Sequence, residues 1–128
     1  EWTKDDDRFI SLVDKNQLDR VTQLLTKKKI DPTKIDPNKG YSALDGKTPL
    51  ALAAEKGQAS ICKLLIENGS DVNDPDAENR TPLLLAASKG HPSVCDYLIN
   101  KGARIDALDK KGRILFFLYF IKFFQINL

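Results

Sequence analysis

The chain has 128 residues, 20 basic and 18 acidic side chains for a formal net charge of +2, and 41% hydrophobic residues. That size holds one domain with a core of its own, and the composition excludes collagen, disorder and a multispan membrane protein. The near-balance of charge excludes the broad basic field of sequence-independent nucleic-acid binding, and one His with two Cys falls short of a zinc finger's four ligands.

The leading segment, Glu1-Trp2-Thr3-Lys4-Asp5-Asp6-Asp7-Arg8, is acidic and polar and shows no signal-peptide pattern. It lacks an initiator Met, as expected of a piece cut from a longer protein. Asp5-Asp6-Asp7 reads as helix N-terminal charge, favourable to the dipole. Further on, Leu12-Val13, Asn16, Val21 and Leu24-Leu25 stand 41 residues before Ala53-Ala54, Gly57, Cys62 and Leu65-Ile66. They mark an atypical first unit over residues 1–44. Lys27-Lys28-Lys29 closes its second helix, where cations suit the C-terminus; a nucleic-acid role for this run is weak. Eight extra residues must then sit in 27–44, which carries Pro32, Pro37 and Gly40 and reads as a lengthened loop.

The next two units, 45–77 and 78–110, are copies of each other at a shift of 33. Thr48-Pro49-Leu50 lands on Thr81-Pro82-Leu83, Ala53-Ala54 on Ala86-Ala87, Lys56-Gly57 on Lys89-Gly90 and Cys62 on Cys95. Leu65-Ile66 meets Leu98-Ile99, and Gly69 meets Gly102. Thr48 and Thr81 are N-cap candidates with Pro at the first helical position. Gly57 and Gly90 stop that helix, because Gly accepts the left-handed conformation at a C-terminus. A second helix follows, with Ile61, Leu64 and Leu65 in one copy and Val94, Tyr97 and Leu98 in the other at helical spacing. Residues 71–79 and 104–112 are polar connectors. The two cysteines fit free thiols, buried as small hydrophobes in a cytosolic protein, better than a disulfide framework.

These residues resemble ankyrin repeats: Thr48-Pro49-Leu50 with Ala53-Ala54, their copy 33 residues on, and a weaker first unit, together about residues 8–113. The resemblance implies an all-α solenoid of helix-turn-helix units with hairpin-like connecting loops. It departs from the family at Ala51 and Leu84, where His usually follows Thr-Pro-Leu and ties the turn; a somewhat less stable array is expected. The leading segment also resembles the start of ankyrin arrays in cytoskeleton-associated proteins with downstream coiled coils, although this chain has no heptads.

A further unit should follow Gly112, but Ile114, Leu115 and Tyr119-Phe120 replace Thr, Pro and the small Ala pair. Six of the ten aromatics fall in 116–124. Three readings of 114–128 stay open. Phe116, Phe117, Phe120, Phe123 and Phe124 sit at helical spacing, so a final helix could cover the solenoid's open end. A membrane anchor is the second reading, disfavoured by 15 residues interrupted by Lys122, Gln125 and Asn127, where about 18–20 apolar residues are needed. The third is an end foreign to the array, such as a misread transcript.

No catalytic constellation emerges. His91, the lone imidazole, sits in a Gly-His-Pro turn and reads as structural, with no Ser or Cys nucleophile legibly paired to it. The glycines form no phosphate loop. The run from Asp71 to Asp76 fails as a calcium loop at Pro75, lacks the Gly that follows, and has Pro82 where Glu is required. No cofactor and no metal are therefore expected, and the chain is read as non-enzymatic.

Absence of chemistry on a repeat solenoid points to binding on an extended concave surface. By family analogy the contacts are Tyr41, Leu44, Asp45 and Lys47 on the first finger, then Asp74, Asp76, Glu78 and Arg80 on the second. Leu108, Lys110 and Arg113 make the third, and Ala51, Glu55, Leu84 and Ser88 the inner-helix positions. Residues 45–77 carry a net charge of −3, 78–110 carry +1 and 111–128 carry +3, a gradient that would orient a partner. The expectation is a cytoplasmic, monomeric adaptor for a protein partner, with a tail-anchored membrane module as the alternative.

Overall fold

Among the described residues six helices follow one another in three antiparallel pairs. They are α1 (Lys4–Asp14) with α2 (Leu18–Lys27), α3 (Pro49–Glu55) with α4 (Ala59–Glu67), and α5 (Pro82–Ser88) with α6 (Pro92–Asn100). The computed structural model describes residues 3–33, 47–76 and 78–106, and among these there is no strand. The unit boundaries expected at 44/45, 77/78 and 110/111, and the whole of 114–128, fall on or beside residues outside the described set.

Local chemistry sets each helix start. Thr48 and Thr81 accept from the backbone N–H of Ala51 at 3.1 Å and of Leu84 at 3.2 Å, with Pro49 and Pro82 in the first turn. At α1 the cap is Thr3, whose hydroxyl accepts from the Asp6 N–H while the Asp6 carboxylate accepts from the Thr3 N–H at 2.7 Å. This is a reciprocal capping box with Asp in the place usually held by Glu or Gln. Asp5, Asp6 and Asp7 all lie in that first turn, where their charge complements the helix dipole.

Helix ends follow one design. The first helix of each unit closes with an N–H bonded five residues back: Gln17 to Leu12 O at 2.9 Å, Gln58 to Ala53 O at 2.9 Å and His91 to Ala86 O at 3.0 Å. The residue just before is left-handed each time, as Asn16 (φ 56°), Gly57 (φ 73°) or Gly90 (φ 75°). This is the Schellman closure, with Asn as the tolerated substitute for Gly.

The second helices close the same way at Ser70 and Ala103, but Ile30 reaches six residues back to Leu24 O. One of the eight extra residues of the first unit therefore sits at the end of α2, and Lys29, at φ 52°, takes the left-handed place that Gly69 and Gly102 hold in the later units. Beyond it the register recovers. The Thr33 N–H bonds to the Asp31 carboxylate at 2.9 Å as the Asn73 N–H bonds to Asp71 at 2.9 Å.

Packing places α1, α3 and α5 in one layer and α2, α4 and α6 in a second. Ala53, Ala54, Ala86 and Ala87 are at most 1% exposed, and their small side chains let first helices of neighbouring units stack closely. Between the layers lie Val13, Val21, Ile61, Leu65, Val94 and Leu98, all buried, with Cys62 and Cys95 filling equivalent positions.

Candidate functional site

The connector between α4 and α5 is built around one carboxylate. Asp76 accepts from the backbone N–H groups of Glu78 at 2.9 Å and Arg80 at 2.8 Å, and from Arg80 Nε at 2.8 Å. Its own N–H donates to Arg80 O at 2.9 Å, and Asn79, at φ 60°, donates back to Asp76 O. These bonds tie Asp76 to Glu78, Asn79 and Arg80 in a tight hairpin-like closure. The expectation of a solvated connector therefore needs correction at Asp76, which is 4% exposed and occupied inside the loop. Arg80 is committed to the same pair and half-buried, whereas Glu78 stands exposed. Asp74 is half-buried beside Asp71; burial, and then the neighbouring charge, push its carboxyl above the usual range.

Of the first finger, the described residue is Lys47. It forms an ion pair with Glu55 at the far end of α3, both partly buried, so two expected contact residues hold each other. Tyr41, Leu44 and Asp45, and likewise Leu108, Lys110 and Arg113 of the third finger, lie outside the described residues. The inner-helix set also needs correction. Ala51 and Leu84 are 0% and 2% exposed and face the core, while Glu55 and Ser88 remain partly accessible. Small and apolar side chains at those two positions serve the packing of neighbouring first helices.

His91 has a clear structural task. Its Nε2 lies 2.8 Å from the carbonyl oxygen of Glu55, 36 residues away, and since a carbonyl only accepts, Nε2 carries the proton. The ring lies against Gly57, where an added Cβ would come within 2.6 Å of Nδ1. One imidazole thus ties the turn of the third unit to that of the second. Cys62 and Cys95 are unsuited to nucleophilic work, because burial pushes both thiols up to about 12.

A second tie between units went unseen in the sequence. The Asn73 side chain accepts from the Arg104 N–H at 2.8 Å and donates to Gly102 O at 3.4 Å. Its partners are 31 and 29 residues away, so no local pattern announces it. Lys56 similarly joins the ends of α3 and α1 through Asp14. Among the described residues no group of three or more His, Cys, Asp or Glu side chains could hold a metal ion. Among them, too, no helix is long and apolar enough to cross a membrane.

Comparison with known proteins agrees with this architecture. Residues 9–109 match the family described as ankyrin repeats in three copies. The chain is also similar to the human ankyrin repeat domain-containing protein 35, with 33% identity over 72 residues. That stretch is 56% of this chain and 6% of the human protein, so the chain spans a small part of that relative's length.

Proposed function

The chain belongs to the ankyrin repeat family, whose members are generally protein–protein interaction modules rather than enzymes, and from that premise we propose that it is a non-catalytic adaptor binding a protein partner. The contact surface is the connector turns together with the accessible ends of α3 and α5. The observation that carries this reading is the turn at 76–80, where a buried carboxylate fixes three N–H donors and leaves Glu78 projecting into solvent. A finger held in one conformation loses little entropy on binding. The alanine pairs of α3 and α5 draw the first-helix layer together, which favours concavity on that side.

Within this surface the reading centres on Glu78, with Arg80, Asp74, Glu55, Lys47 and Ser88 around it. Asp76 acts by shaping the finger. The buried free thiols fit a cytoplasmic home, and the chain is proposed to act as a monomer. A photo-crosslinking residue placed at position 78, and separately at Lys63 on the exposed face of α4, tests the proposal. A partner crosslinked from 78 and not from 63 supports it; a partner crosslinked from 63 alone overturns it.

A further inference from the structure

A groove of about 140 Å³ runs along the first helix pair, lined by Arg8 and Leu12 of α1, Arg20, Gln23, Leu24 and Lys27 of α2, and Lys28. The spacing explains the lining. Arg8 and Leu12 are one turn apart, and Arg20, Leu24 and Lys27 recur along one face of α2. Leu12 and Leu24 form a floor only 7% and 5% exposed, and the four cations and Gln23 stand exposed around it.

The polar lining is therefore four cations and one amide, with no carboxylate. Lys28 has a counter-charge at the rim, Asp5, at 2.9 Å. Among the described residues no carboxylate forms an ion pair with Arg8, Arg20 or Lys27. Three like charges around one concave site, in a chain whose net charge is only +2, make a local anion-attracting field.

We propose that this groove is a second docking site and that its occupant is an acidic segment of a protein partner, inserting Asp or Glu side chains between Arg8, Arg20 and Lys27. Guanidinium forks take carboxylates in paired hydrogen bonds, and the leucine floor accepts the methylene stems. An extended anionic surface, such as a membrane or a nucleic-acid backbone, fits less well. It would also meet the carboxylates that α1 and α2 carry outside the lining, Asp5 beside Lys28 and the exposed Asp7 and Asp19. Side chains inserted between Arg8, Arg20 and Lys27 instead meet a lining that holds no carboxylate. The site uses α1 and α2 rather than the connector turns, so it stands or falls separately from the surface proposed above.

The test titrates the full chain into fluorescein-labelled deca-glutamate and reads anisotropy at low and near-physiological salt. Saturable binding is expected, weakening with salt and falling at least about tenfold when Arg20→Glu and Lys27→Glu are combined. Lys63→Glu, on α4 and outside the groove lining, should leave it near the native value. If the charge-reversed pair loses its helical circular dichroism, Arg20→Gln with Lys27→Gln removes the charges without reversing them. No binding by the native chain, or equal losses from Lys63→Glu, would overturn the proposal. So would tighter binding to phosphatidylserine vesicles or duplex DNA that is lost with the same pair, since the groove would then serve that surface.

Discussion

Gly57→Ala tests how the units are fastened. Gly57 sits at φ 73°, and a Cβ there would approach three atoms of the His91 ring at 2.6 to 2.9 Å. Backbone strain in the left-handed region costs about 1–2 kcal/mol for a residue with a Cβ. The contact is closer than any real Cβ tolerates and involves Cγ of the ring as well as its edge, so the imidazole must swing out. That motion gives up the 2.8 Å bond to Glu55 O, a further loss of about 1 kcal/mol. The sum is about 2–3 kcal/mol in the native background.

With His91→Ala already in place the ring is gone, and Gly57→Ala should cost only the strain. Urea unfolding followed by circular dichroism on the four proteins of this double-mutant cycle gives the coupling, expected at about 1 kcal/mol. Gly69→Ala provides a reference, since nothing lies within 4 Å of its added Cβ and φ 100° leaves strain alone. Equal costs of Gly57→Ala with and without His91 would refute the claim that this imidazole fastens one turn to the next.

Three further outcomes follow from the same geometry. Asp76→Ala should destabilise by about 2–3 kcal/mol in urea, because it frees two backbone N–H donors and the Arg80 guanidinium, and Asp76→Asn should recover part of that loss. Asp74 titrates higher in the folded chain than in the unfolded one, so the folded state holds more protons just above the ordinary value of 3.8 and loses stability as pH rises through that window. Asp74→Asn should therefore raise the urea midpoint at pH 7 and change it little below the ordinary carboxylate range. Cys62 and Cys95, with thiols pushed up to about 12, should react slowly with a thiol-specific reagent at pH 8 in the folded chain and rapidly in urea. Fast labelling of native protein would contradict their burial.

Much of the fold was legible because the repeat presents each feature more than once. Thr48 and Thr81 as caps, Gly57 and Gly90 as stops, and the buried Ala pairs all recur at one spacing, and the structure has each of them. Asn16 under Gly57 was readable for the same reason, since Asn tolerates the left-handed conformation. The single extra residue at the end of α2 was not, because Lys29 stands in the left-handed place where the later units carry Gly, so no Gly marks that helix end.

The candidate surface was harder to read. Asp74, Asp76 and Glu78 look alike as acids in a polar connector. Which of them folds inward depends on the turn, although Asp76 and Arg80 at a spacing of four could have drawn attention. Lys47 and Glu55 likewise pair across the length of α3, and Asn73 reaches into the next unit. The groove of Arg8, Arg20 and Lys27 was not legible because its residues are split between two helices, and Lys27 stood out only as part of the run Lys27-Lys28-Lys29 that closes α2.

The central claim is that a protein partner lies on the connector turns and the accessible ends of the first helices. Hydrogen exchange of the chain with and without the partner captured through position 78 tests it most directly. The account predicts new protection at 74–80 and around 47–55, with 59–67 and 92–100 on the opposite layer unchanged. Protection confined to 59–67 and 92–100 would contradict it.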